Sequence, residues 1–391
     1  MRIAHLADAH LGFRQFQRLA PDGTNQREAD VAAAFRRALD AVIARGADAI
    51  VIAGDLFHAV RPSNRSIIEA FGQLSRLRQA LPHAPVILIA GNHDTPRSSE
   101  AGSILKLMSS LGVDVVDDET RRLEYPDLGL SVLAVPHVAL LRDPSRNWRP
   151  SSAAKRNVLV LHPEIDGYFP DHGESDYGGV QVNRNDLAAE WDYIALGHYH
   201  VASAISPRCW YSGSLEYTSP NIWGERWEEY ERGVTKGINI ADLETGVVER
   251  VALPPERLVH DLPSLDAAGM TPPQLDAAIQ GRIAGVAGGI GDTVTRLLVW
   301  NVPREIAHAL DHAPLRVLRA QALHFQLDLR RPETGRTIGV GAPGSRQPLV
   351  EVVAEYLARR PLDADLDRGR FVRLGREYMD MVERDGAEAG A

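Results

Sequence analysis

Four apolar runs of this chain end in residues that could do metal chemistry. Leu6-Ala7 leads into Asp8-Ala9-His10, and Ile50-Val51-Ile52-Ala53 into Gly54-Asp55. Val86-Ile87-Leu88-Ile89-Ala90 leads into Gly91-Asn92-His93-Asp94, and Tyr193-Ile194-Ala195-Leu196 into Gly197-His198-Tyr199-His200. Asp8 and His10 lie two apart at a strand end, so both side chains leave one face and can chelate one ion. His198 and His200 repeat the spacing. Asn92 offers a neutral oxygen from the Gly91 turn, and His162 stands where Val158-Leu159-Val160-Leu161 stops. Asp8, His10, Asp55, Asn92, His162, His198 and His200 are more donors than one ion uses comfortably. Sharing Asp55 gives four protein ligands to each of two ions. Such pairs sit about 3.5–4 Å apart and clamp the attacking and leaving oxygens of a phosphoryl displacement.

The elements that must position these residues follow from the hydrophobic pattern. Arg2 to Ala7 reads as a strand, Asn25 to Arg45 as a helix closed by Gly46, and Ile50 to Ala53 as a buried strand. A helix over Arg65–Ala80, the Val86 strand and a helix over Ser99–Leu111 continue a β-α-β order, which indicates a parallel sheet with helices on its faces. From about Val113 short strand-like runs dominate (130–135, 157–161, 193–196, 201–205, 237–241, 247–253), and a second sheet packed on the first is expected. Pro254-Pro255 marks a boundary. Beyond it a strand near Leu258, helices over 273–283 and 303–310 and strands over 294–300 and 324–329 predict a compact α+β unit. A Gly/Pro-rich link, 339–348, leads to two helical stretches, the first with a stripe of Leu349, Val352, Val353, Tyr356 and Leu357. The expected division is 1–255, 256–345 and 346–391.

Composition narrows the classes. The chain has 391 residues, 44% hydrophobic and 24% charged, enough for a large core. A single cysteine, Cys209, excludes an internal disulfide or a cysteine-built zinc site and suits a reducing compartment. The amino terminus lacks a signal-peptide pattern and no run approaches a membrane span, so a cytoplasmic protein is expected. The net charge is −9, and most of the deficit lies in residues 1–255, with 26 basic and 33 acidic side chains. Two bound divalent cations would offset part of it. Only Lys106, Lys155 and Lys236 are lysines; arginine, whose planar fork suits phosphate, supplies the other cations. Charge neither supports nor excludes DNA as a partner.

Singly, each polar pattern is ordinary turn chemistry. Together and in order, Asp8-Ala9-His10-Leu11-Gly12, Gly54-Asp55-Leu56-Phe57-His58, Gly91-Asn92-His93-Asp94, His162 and Gly197-His198-Tyr199-His200 resemble the calcineurin-like metallophosphoesterase superfamily. The closer resemblance is to its SbcD-type branch, the nuclease subunit of the SbcCD DNA-repair complex. It covers about the first 255 residues. The resemblance implies an α/β two-sheet metallophosphoesterase sandwich with helices on the outer faces, an α+β capping domain over 256–345 and a helical partner-docking segment over 346–391. Asp8, His10, Asp55 and His200 would hold one metal, and Asp55, Asn92, His162 and His198 the other. His93 would be the catalytic histidine that does not bind metal, oriented by His58, while Asp94 secures its loop. The family's usual activating ion is manganese.

The segment from Pro163-Glu164-Ile165-Asp166-Gly167 through Gly178-Gly179 departs from the usual SbcD pattern, which leaves His172 as the alternative to His162. His5, His137, Trp223 and Trp227 read as packing or loop residues. The expected function is two-metal DNA exonuclease and endonuclease activity in double-strand break repair, beside an SbcC-like coiled-coil ATPase. The alternatives are the same chemistry on a small phosphodiester, nucleotide or phosphoprotein, and a non-catalytic scaffold. The oligomeric state, a homodimer included, stays open.

Overall fold

The structure, a computed structural model, describes residues 1–96, 102–143, 145–168, 179–187, 189–332, 349–359 and 367–388. His172 and the 339–348 link lie outside the described residues, as do the side chains of Leu349 and Val352.

The apolar runs are continuous because their strands are buried on both faces. In chain order β1 (Arg2–Leu6), α1 (Gln26–Arg45), β2 (Ala49–Ile52), α2 (Asn64–Ala80), β3 (Val86–Ile89) and β4 (Val113–Val116) build the parallel part of the first sheet. In β2, Ile50 and Ile52 pack with Phe35 and Leu39 of α1 and Leu74 and Leu77 of α2. Ala49 and Val51 point the other way, into a cluster that holds Val132, Val158, Val160 and Ala195 of the second sheet. Period two thus serves two layers at once. Asn25 caps α1 by accepting from the Arg27 amide, and Gly46 closes it in the left-handed region at φ 56°.

The second sheet contains β5 (Arg121–Tyr125), β6 (Leu130–Ala134), β7 (Arg156–Leu161), β10 (Tyr193–Leu196), β11 (Ser203–Ser206) and β12 (Cys209–Tyr211), in the order β11-β12-β10-β7-β6-β5. The short helix α3 (His137–Arg142) follows β6, and the pair β8 (Glu164–Ile165) and β9 (Gln181–Val182) lies between β7 and β10. After helix α4 (Ile222–Arg232) come β13 (Gly237–Asp242) and β14 (Val248–Ala252).

Three expectations need correcting. β13 and β14 belong to the first sheet, antiparallel beside β1, with Ile3 opposite Ala241. Their apolar alternation fits either sheet, and only the return of the chain to the free edge of β1 decides. The helix expected from Ser99 is a 3₁₀ stretch over Ile104–Leu111, started by Ser103 and closed by Gly112 at φ 74°. Beyond Pro255, β15 (Val259–Asp266), α5 (Pro272–Ala284), β16 (Val294–Trp300), α6 (Arg304–His308) and β17 (His324–Leu329) match the expected order, but α7 (His312–Gln321) was not foreseen. Asp311 caps it by accepting from the Ala313 amide. The strands β15, β16 and β17 form a three-stranded sheet.

By internal packing the chain forms two compact units, Met1–Pro263 with Ala278–Leu297 and Asp311–Leu327, and Ser264–Ala277 with Leu298–Leu310 and Asp328–Ala391. The second holds α8 (Leu349–Arg359) and α9 (Arg368–Glu388), which pack on each other. Among the described residues no helix is long and apolar enough to cross a membrane.

Candidate metal centre

The carboxyl ends of β1, β2, β3, β7 and β10 carry Asp8, Asp55, Asn92, His162 and His198, the crevice where parallel sheets place their chemistry. Main-chain bonds tie the loops together. The Asp8 amide donates to the Gly54 carbonyl (3.1 Å), the His10 amide to the Asp55 carbonyl (3.0 Å) and the His58 amide to the Leu11 carbonyl (3.0 Å). Asp8, His10, Asp55 and His198 all have positive φ (53°, 48°, 51° and 94°). Such conformations are costly for residues with a Cβ and persist where the surroundings over-determine them.

Asp55 sits at the middle. One of its oxygens, Oδ1, accepts from the His93 amide (2.9 Å), while Oδ2 lies 3.2 Å from His162 Nε2 and 3.8 Å from His10 Nε2. Around it, His10 Nε2 is 3.0 Å from His200 Nε2. Asn92 Oδ1 is 3.0 Å from His162 Nε2 and 3.1 Å from His198 Nδ1. Both oxygens of Asp8 accept from the His198 amide (3.0 and 3.1 Å). Asp8, His10, Asp55 and His162 are buried. The close packing leaves room only for glycine at key points: a Cβ on Gly91 would stand 2.1 Å from Asp55 Oδ1, and one on Gly197 1.9 Å from the Ala53 carbonyl oxygen.

The electrostatics follow from burial and crowding. Burial pushes the Asp55 carboxyl up, but His162, His10 and His93 overrule it and hold it well below the carboxylate range. Burial, with His200 second, holds His10 well below 6.5. For His162 burial opposes protonation, yet Asp55 and then Asp8 raise it to about 9. Asp94 goes the other way: burial and then Asp55 raise it to about 7, against three backbone donors, the amides of Leu56 (3.1 Å), Phe57 (3.0 Å) and Gly91 (3.3 Å). It therefore ties the Asp55 loop to the Asn92 loop, the securing task expected of it.

Nitrogen and oxygen donors this close can share protons as hydrogen bonds or converge on a cation. The donor atoms of Asp8, His10 and His200, and those of Asp8, Asp55 and His162, lie within 4.8 Å of one another and could each hold a metal ion. His10, His58 and His93 form a third such group. His93 Nδ1 donates to the His58 carbonyl (2.7 Å) and its ring stacks on that of His58, centroids 5.2 Å apart. His58 was expected to orient His93; the hydrogen bond between them runs to the main-chain carbonyl of His58.

Glu164 was passed over in the sequence. Its Oε1 accepts from His198 Nε2 at 3.2 Å. The signal was a carboxylate two residues after His162, hidden in the segment without a matching pattern. Of the residues set aside, His5 bonds Tyr193 (2.9 Å) in the interior, His137 is buried at the start of α3, Trp223 lies under Arg296, and Trp227 is exposed beside Tyr230.

The two-sheet fold and the metal-ready loops at its strand ends define a phosphoesterase, and the match of residues 1–202 to the calcineurin-like phosphoesterase family model agrees. The chain belongs to that family. Its curated relatives include three proteins called DNA double-strand break repair protein Mre11. The one from Thermoplasma acidophilum is 30% identical over 63% of each chain. That from Sulfurisphaera tokodaii is 32% identical over 51% of this chain and 49% of the relative, and that from Archaeoglobus fulgidus 32% identical over 51% and 46%. The chain thus spans about half to somewhat under two thirds of the length of these relatives.

Proposed function

We propose that the chain is a DNA phosphodiesterase of double-strand break repair, an exonuclease and endonuclease that works with two manganese ions. The observation that carries this reading is the placement of Asp55, whose one carboxylate oxygen lies between His10 and His162. The names of the archaeal relatives supply the substrate class. On this reading Asp8, His10, Asp55 and His200 hold one ion, and Asp55, Asn92, His162 and His198 the other. The pair of ions supplies Lewis acidity at the phosphoryl oxygens when bound. A donor set rich in histidine disfavours magnesium and suits manganese.

The chain's own part is positioning and proton handling. His93, whose Nδ1 proton is committed to the His58 carbonyl, would use Nε2 to stabilise the phosphoryl transition state and protonate the leaving sugar oxygen. His58 orients it through that carbonyl and the ring stack. Asp94 fixes the loop spacing.

The wider organisation belongs to the same proposal. Residues 1–255 do the chemistry, 256–345 cap the DNA, and 346–391 dock on the base of an SbcC-like coiled-coil ATPase in the cytoplasm. The test is digestion of linear duplex and hairpin DNA by the purified chain with manganese, with and without the ATPase. Degradation that vanishes in Asp55→Asn supports it. Activity on a chromogenic diester and cyclic nucleotides with none on DNA would transfer the chemistry to small substrates.

A further inference from the structure

Glu164 stands on the strand of a two-residue pair that immediately follows His162. Three bonds fix the main chain around it: the Glu164 amide donates to the Val180 carbonyl (2.9 Å), the Ile165 amide to the Tyr211 hydroxyl (3.1 Å), and that hydroxyl to the Pro163 carbonyl (2.9 Å). Tyr211 is wholly buried on β12. The chain just before the partner strand leaves space for the carboxylate, because a Cβ on Gly179 would stand 1.9 Å from Glu164 Oε1. The side chain is 12% exposed, and its Oε1 meets His198 Nε2 at 3.2 Å while the other ring nitrogen, Nδ1, lies 3.1 Å from Asn92 Oδ1.

An imidazole can present only one bare lone pair when neutral, and the acceptor at the far nitrogen decides which. The backbone does this for His162, whose Nδ1 donates to the Ala53 carbonyl at 2.7 Å and so turns Nε2 towards Asp55 and Asn92. We propose that Glu164 does it for His198, as a positioning residue for the second cation: it accepts the Nε2 proton and so presents Nδ1 beside Asn92. The inference rests on the two-cation reading above. It also gives a role to the stretch in which this chain departs from its family's pattern, since Glu164 and Gly179 both lie there. An anionic acceptor raises the basicity of the ring as well as turning it, so its loss should weaken one cation more than the other.

The full chain, stripped of metal, is titrated with manganese chloride and followed by calorimetry and by the manganese spin-resonance signal. The wild type is expected to take up two ions. In Glu164→Ala the second equivalent should bind about 10- to 100-fold more weakly with the first unchanged. Glu164→Gln, whose amide oxygen can still accept the proton but carries no charge, should fall between them, and it decides the question if the alanine variant does not fold. Imidazole nitrogen NMR gives an independent reading, with the His198 proton on Nε2 in the wild type and shared between both nitrogens in Glu164→Ala. Unchanged binding of both equivalents in the variants, or an unchanged tautomer, overturns the inference while the two-cation reading stands. A wild type that takes up fewer than two ions defeats both.

Discussion

The two halves of the candidate metal centre, as proposed, are steadied in different ways. On the side of Asn92, His162 and His198, each imidazole gives its remote N–H to an oxygen, the Ala53 carbonyl for one and Glu164 for the other. On the side of His10 and His200 the support runs differently. His10 Nδ1 faces His58 Nδ1 at 3.4 Å, and His200 is gripped by its main-chain carbonyl, which accepts from the Ser214 amide (3.0 Å) and from Lys236 Nζ (3.2 Å). One half is oriented by oxygens at the ring; in the other a ring contact holds His10 and main-chain bonds hold His200. On the proposed two-cation reading, substitutions at Glu164 and at the main-chain anchor of His200 should separate the two cation positions, and Asp55 should affect both.

Asp55→Asn is the strongest test of that shared role. It should remove both cations together and, if the proposed function holds, lower DNA cleavage by about a thousandfold or more, as the loss of several kcal/mol of charge stabilisation requires. Manganese titration and a cleavage assay check it, and a variant that loses one ion while keeping the other would break the symmetry placed on Asp55. His93→Ala comes next. It belongs to neither half, so both manganese equivalents should bind as before while turnover falls about 10²- to 10⁴-fold. Loss of metal with the activity would make His93 a ligand instead.

Gly197→Ala sharpens the contrast at smaller cost. The added methyl would stand 1.9 Å from the Ala53 carbonyl oxygen and 2.6 Å from His162 Nδ1, where the proton that fixes this ring is held. Overpacking of this kind costs about 1–3 kcal/mol, and the second equivalent should weaken while the first keeps its constant. Equal weakening of both would show that the halves move as one body.

Much of this centre was legible because a strand end is a local event. An apolar run followed by Gly-Asp or Gly-Asn-His declares both the strand and the group it delivers, and Asp8, Asp55, Asn92, His162 and His198 all stand at such ends. Their convergence could be inferred from donor chemistry. Glu164 could not, since its partner His198 is 34 residues away and its place depends on Tyr211 and on space beside Gly179. The sheet assignment of β13 and β14 failed for a related reason. Alternation reports that a strand is half-buried or buried, but pairing with β1 is a long-range choice. The 3₁₀ stretch at Ile104–Leu111 shares apolar spacing with an α-helix, and the sequence does not tell the two apart over a few turns.

The last expected effect lies under His200 and falls on stability rather than on turnover. Lys236 is buried with its ammonium bonded to Glu225 and to Ser214 Oγ (2.7 Å), 3.2 Å from Glu229, and from there it reaches the His200 carbonyl. Burial lifts the Glu225 carboxyl from 4.5 to about 7, with Lys236 pulling it down and Glu229 pushing it up. A folded-state value above the unfolded one means that the native chain binds the proton more tightly. The stabilisation is complete below pH 4.5 and is lost as pH rises towards 7. Glu225→Gln, neutral throughout, lacks this slope. In urea titrations of the metal-free chain it should gain on the wild type between those pH values, by up to about 3 kcal/mol, and hold the gain above them. Parallel curves for the two chains would show that Glu225 titrates alike folded and unfolded. If instead the gain appears and manganese binding at the first position changes while the second does not, the buried ion group is the backbone counterpart of Glu164, and the division between the two halves extends beneath the ligands themselves.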